Sequence, residues 1–243
     1  MPASDFIQDQ LRIVETERAT RAVEEGLNAK VSAIKKFQQQ RFRHTYADLL
    51  LNQRHGAACR FFLEELYGPD DFSQRDAQFA RVVPSLVRLF PEAIVDTVAA
   101  LAALHAMSEQ LDTEMGRRLA RPLVDAASYI SAWQATGQRA QRNTQIELTL
   151  GIARSLDSLT RKPLLRNGLR LMRPAARAAG LGDLQRFLER GFDTFRSMKG
   201  SQEFVEIVEH RERGLAVALF SASVLQSPGG GDYNESYSLL PSP

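Results

Sequence analysis

Residues 92–110 read EAIVDTVAALAALHAMSEQ. Ile94, Val98, Leu101, Leu104 and Met107 recur at steps of three or four, with His105 beside Leu104. That spacing lines one side of a helix of 3.6 residues per turn and does not suit a strand. Pro91 stands just before it, where a fixed φ suits a first helical turn and the missing N–H is not needed. Clean period-two alternation over six or more residues does not occur elsewhere in the chain, and strand formers do not cluster. The fold class expected is therefore all-α.

The same period extends in both directions. Upstream, Phe79, Val82, Val83, Leu86, Val87 and Leu89 or Phe90 mark a helix over about 74–90, kinked by Pro84. Ser73 reads as its cap, with Asp76 three positions on. Before it, Phe61, Phe62 and Leu66 form the face of a helix over about 54–67, ended by Gly68-Pro69. Downstream, Asp112 reads as the cap of a further helix that Pro122 divides and that carries Tyr129, Ile130 and Trp133 to Gly137. Helices over about 139–160, 164–179, 182–198 and 201–225 follow, the second with Pro174 inside it.

At the N-terminus, Phe6, Ile7, Leu11 and Val14 open an apolar stripe that Leu27, Val31 and Ile34 resume. Between them, Glu15 to Gly26 is mostly polar. The gap excludes a sustained coiled coil, so residues 1–32 are expected to form a helical arm outside the core. Residues 33–223 are expected to be one compact bundle of about eight or nine helices. Residues 224–243 are rich in Gly, Pro and Ser and are expected to form a flexible tail. There is no solenoid repeat.

Composition narrows the function classes. The 243 residues suffice for a core without staples. Lys and Arg number 31 against 29 Asp and Glu, so global charge makes no case for a nucleic-acid binder. One cysteine, Cys59, excludes an internal disulfide framework and a multi-thiolate zinc site. The start carries no basic, then apolar, leader pattern. The longest apolar-rich run, Gly214 to Leu225, spans roughly 18 Å as a helix against a hydrocarbon core of roughly 30 Å. A cytoplasmic protein without a transmembrane segment is expected. Phosphate-loop, dinucleotide, hydrolase-elbow and zincin motifs are absent from the sequence.

Three features carry candidate chemistry. The first is His105, in a Leu-x-x-Leu-His pattern that looks like the proximal helix of a globin and makes it the candidate haem ligand. Its bland reading is a packed histidine, and no cofactor is the default expectation. The pairs His105/Glu109 and Glu206/His210, each four apart, could hold a metal only if their helices were neighbours. The second is Tyr67, Arg75 and Asp76, read either as a polar pocket or as capping plus a salt bridge between the flanking helices. The third is charge. Residues 139–180 hold nine basic and two acidic residues, a surplus of seven. Within them Lys162, Arg166, Arg170, Arg173 and Arg177 share one helical face, beside a stripe of Leu165, Leu169, Met172 and Ala176. Arg166, Arg170, Arg173 and Arg177 could meet an acidic partner or an anionic surface. Internal pairing with carboxylates such as Glu64, Glu65 and Asp76 is the expectation to be beaten. Nucleic acid is disfavoured, since no aromatic side chain is interleaved to stack on bases. Cys59 reads as a small buried hydrophobe rather than as the partner of His55.

The stretches FFLEELYGPDDFSQRD (61–76), RPAARAAGLGDLQRFLERGFDTFRSMKG (173–200) and FVEIVEHRE (204–212) together resemble an uncharacterised family of bacterial all-helical proteins. The likeness covers about residues 35–222. It implies an all-helical cytosolic fold and a proteobacterial origin, and it implies no activity. The leading functional expectation is a non-enzymatic binding or interaction protein, working through self-association of the arm or through the basic face. The alternatives are a haem- or metal-binding helical protein and an enzyme of unknown class.

Overall fold

The computed structural model describes residues 1–66, 72–221 and 240. Among them it has twelve α-helices and no strand: α1 (Ala3–Val23), α2 (Leu27–Thr45), α3 (Ala47–Leu51), α4 (Gly56–Phe61), α5 (Ser73–Leu89), α6 (Glu92–Arg118), α7 (Ala126–Thr136), α8 (Arg139–Thr160), α9 (Pro163–Leu171), α10 (Arg173–Ala178), α11 (Gly182–Ser197) and α12 (Gln202–Leu219). A π-helical turn, Phe62–Leu66, continues α4. The all-α expectation holds, and the expected eight or nine helices become twelve.

Each discrepancy has a local cause. α1 and α2 part at Gly26, whose φ of 70° is open to glycine. α2 ends at Tyr46, whose φ of −116° and ψ of 25° leave the helical region, and the short α3 follows. Pro174 has no N–H to give to the carbonyl four residues back, and the expected 164–179 helix breaks at Met172 into α9 and α10. In the other direction, Asp112 does not cap a new helix. It lies inside α6, which runs on to Arg118, and the true cap downstream is Asp125, in a reciprocal pair with Ser128. Nor does Ser73 act as an N-cap. Phe72 occupies that place, without a side-chain cap.

α6 is the axis. It packs against α1, α2, α7 and α8, and α8 in turn carries α11 and α12. Three apolar clusters flank this axis. One joins Ile7 and Leu11 of α1 to Val83 of α5 and to Val95 and Ala102 of α6. A second gathers Ile34, Phe37, Met115, Trp133 and Leu215. A third, around Phe42, Tyr46, Leu63, Phe195 and Phe204, joins the α2–α4 region to α8, α11 and α12. α2 approaches α6 closely at Gly116, where an added Cβ would stand 2.7 Å from Val31 Cγ2.

The expected arm is not outside the core. Ile7 and Val14 are at most 1% exposed, and α1 lies along α6. The polar gap that suggested an arm is where α1 buries charges instead of hydrocarbons. Most of the expected tail lies outside the described residues. Leu240 is described, and it is buried in the Phe37–Trp133 cluster.

Candidate functional site

α6 presents His105, Glu109 and Asp112 at positions i, i+4 and i+7, which puts them on one side of the helix. α1 presents Arg18 and Arg21 toward them, α2 presents Lys35 and Gln38, and the first turn of α5 presents Asp76. Asp76 Oδ2 accepts from Arg18 Nη2 at 2.7 Å and lies 3.1 Å from His105 Nε2. Deeper in, Lys35 Nζ donates to Glu109 Oε1 at 2.6 Å, and Arg21 Nη2 stands 2.5 Å from Oε2. At the inner end Gln38 Nε2 donates to Asp112 Oδ1 at 2.9 Å. This polar ladder fills the α1–α2–α6 seam.

The carboxylates respond differently to one buried setting. Burial alone would raise the Glu109 carboxyl, but Lys35 and Arg21 outweigh it and hold the group at about 2. At Asp76 burial pushes the same way, and His105 with Arg18 brings the carboxyl below its usual range. Asp112 has no cation in contact, so burial raises it, against the pull of Lys35.

Two residues singled out for separate reasons, His105 and Asp76, are thus brought together. Asp76 engages one ring nitrogen of His105 and so fixes the ring's orientation, as a positioning carboxylate does. Among the described residues no hydroxyl or thiol is hydrogen-bonded to His105. Arg75 points elsewhere. Its Nη1 donates to the Glu65 carbonyl at 2.8 Å, and the guanidinium lies 4.2 Å from the Phe72 ring centroid and 4.4 Å from that of Phe187. It therefore ties the π-helical turn to α5, with the Glu65 carboxylate 3.6 Å away, and makes no hydrogen bond to the groups around Asp76 among the described residues. Tyr67, the third member, lies outside the described residues.

The remaining polar candidates separate. Glu206 accepts from Gln202 and faces solvent, as does His210. Among the described residues no three His, Cys, Asp or Glu side chains converge as a metal site. Cys59 is fully buried, and burial pushes its thiol up to about 12, which removes it as a nucleophile at neutral pH.

His55 is 2% exposed, and neither ring nitrogen has a hydrogen-bond partner among the described residues. Burial lowers its pKa from 6.5; Arg54 adds to this, and Glu203, 3.9 Å away, opposes it. The folded state therefore takes up a proton on His55 less readily than the unfolded chain, which does so at about 6.5. This contribution to stability is complete above that pH and falls as pH drops through the unfolded value. Urea midpoints measured from pH 7.5 to 5 should decline, and His55→Leu should flatten that decline. An unchanged slope would show that His55 does not titrate against the fold.

The basic face divides into paired and unpaired members. Arg166 Nε donates to Asp193 at 2.9 Å, and Arg173 makes two 2.5 Å bonds to Glu189, both acceptors lying on α11. Internal pairing therefore holds for these two, though not with Glu64, Glu65 or Asp76. Arg170, Arg177 and Lys162 are exposed and have no carboxylate in salt-bridge range among the described residues. The crevice between α9 and α11 is water-sized, about 10 Å³, and is no ligand cavity.

On the outer side of α9, Leu164 is 83% exposed and Leu171 81% exposed, followed by Met172 at 47%. Sequence reasoning missed the first two. A wheel through 163–171 could have found them, because its apolar arc is wider than the seam that Leu165 and Leu169 cover.

A family model described as a domain of unknown function, DUF8198, matches residues 17–225. The chain belongs to this family. No curated protein and no solved structure matches it. The expected membership of an uncharacterised family holds, and the DUF8198 match is wider than the 35–222 of the resemblance. It begins inside α1, so it takes in Arg18 and Arg21 of the ladder, and it includes the whole of α9 and α10. Among the described residues no helix is long and apolar enough to cross a membrane.

Proposed function

We propose that this protein is a non-enzymatic, cytosolic binding protein that docks on an acidic surface through α9 and α10. The observation that carries the reading is the pairing of open leucines with unpaired cations. Leu164 and Leu171 stand in solvent beside Lys162, Arg170 and Arg177, in a stretch, 158–182, with no carboxylate of its own. The other large exposed hydrophobics, such as Leu51, Leu89 and Val217, are scattered singly, as on most surfaces. Burial of Ile7, Leu11 and Val14 argues against self-association through the N-terminal arm, because that stripe is already used.

The test is a titration of the full chain with poly-glutamate at low and moderate salt. Binding that weakens steeply with salt is expected, since each unpaired cation contributes through screened charge. The triple variant Lys162→Glu, Arg170→Glu, Arg177→Glu should bind at least ~10-fold more weakly, at an unchanged circular dichroism spectrum, because like charges then meet across the contact. A variant that binds as the parent does would remove the reading.

The Asp76–His105 contact favours a second reading, in which the other ring nitrogen serves as a base or a haem ligand. Metal-bound histidines commonly give their second nitrogen to a carboxylate. A Soret band on adding haem, lost in His105→Ala, is the outcome this second reading requires. A chain that takes up no haem removes the haem form of it.

A further inference from the structure

α9 advances by 3.6 residues per turn, so Leu164 and Leu171, seven apart, lie two turns apart on one side, with Gly168 between them. A Cβ placed on Gly168 would meet no atom within 4 Å. Leu165 and Leu169 lie round the helix toward α11 and are half-buried. The apolar arc is therefore used on one half and open on the other. The open half is a convex ridge of two leucines with a gap in the middle, continued by Met172.

That shape discriminates among anionic partners. A protein groove that receives a helix reads anchors at i, i+3 or i+4, and i+7. Here the middle anchor is a glycine, and a groove shaped to the ridge would face a hole. A fluid acyl layer has no fixed register and accepts two leucines without a third. Long cationic side chains on α9 and its flanking residues can keep their charge at the headgroups while their stems lie along the apolar boundary. Of the basic stripe, Lys162, Arg170 and Arg177 have no carboxylate in salt-bridge range among the described residues. Residues 161–180 contain no aromatic side chain that would stack on bases.

We propose that α9 and α10 seat this protein on an anionic phospholipid surface. Leu164, Leu171 and Met172 enter the interfacial layer, and Lys162, Arg170 and Arg177 meet the lipid phosphates. This rests on the reading of α9 and α10 as the docking face, and it names the occupant of that face. A nine-residue helix offers too little apolar surface to anchor alone. Binding therefore needs both the leucines and the cations, and it is reversible and sensitive to salt.

The experiment is co-sedimentation of the full chain with vesicles of phosphatidylcholine alone, or of phosphatidylcholine with about one third phosphatidylglycerol. The anionic vesicles should carry the protein down at low salt and the neutral vesicles should not. Leu164→Glu with Leu171→Glu, and separately Arg170→Glu with Arg177→Glu, should each weaken binding at least ~10-fold. All four positions are solvent-exposed, and circular dichroism checks that the variants fold. Leucine variants that bind anionic vesicles as well as the parent would overturn the proposal, because the ridge would then not enter the lipid. If the protein binds poly-glutamate and no vesicle, the lipid assignment falls and the docking face stands. If it binds neither, both fall.

Discussion

Replacing Glu109 by alanine should cost this protein about 3–5 kcal/mol of stability, because removal of one partner of a buried ion pair strands the other. Glu109 is 4% exposed and Arg21 5% exposed, and Lys35 reaches the same carboxylate from α2. The substitution leaves two cations facing each other in a seam where, among the described residues, neither has a second carboxylate in contact. Urea denaturation reads the loss directly. The double variant Glu109→Ala, Arg21→Met should recover part of it, since an apolar replacement of a buried pair restores packing without a stranded charge. A loss under about 1 kcal/mol for Glu109→Ala would mean that the ladder is solvated, as surface pairs are. The acid limb carries the same sign. The Glu109 carboxyl is held at about 2 in the fold against 4.5 when unperturbed. Its contribution is complete above the higher value and is lost as pH falls through the lower.

Phe195→Ala should cost about 3–5 kcal/mol by opening a cavity in a closely packed core. Phe195 is fully buried and meets the Phe62 ring edge-on, with centroids 6.1 Å apart. It fastens α11 to the π-helical turn. α9 and α10 rest on α11 through Arg166, Arg173 and the half-buried leucines, none of which belongs to the three core clusters. The variant therefore loosens the platform of the docking face as well as the bundle. Leu164→Ala, by contrast, should change the urea midpoint little, since an 83%-exposed side chain has almost no contacts to lose.

The helical period was legible wherever apolar residues marked the buried side, as from Ile94 to Met107. It failed where charge did that work. Glu15 to Gly26 read as a gap because Arg18 and Arg21 look like solvent-facing residues until their partners are known. Those partners lie far along the chain: Asp76, 58 residues on, meets Arg18, and Glu109, on α6, meets Arg21. No local pattern encodes such a pairing. Asp112 misled for the same reason, since a capping aspartate and a buried one look alike in sequence, and only the neighbouring Gln38 tells them apart. The basic face was legible as a stripe. Its division into paired and free cations was not, because it depends on where α11 places Glu189 and Asp193. The open leucines were hidden by the assumption that an apolar arc is buried across its full width.

The most direct measurement is hydrogen–deuterium exchange of the full chain, alone and with saturating poly-glutamate. Slower exchange confined to residues 161–179, with α1 and α6 unchanged, is the predicted result. Protection centred on the Arg18–Asp76–His105 seam, or none in α9 and α10, would contradict the assignment of the docking face.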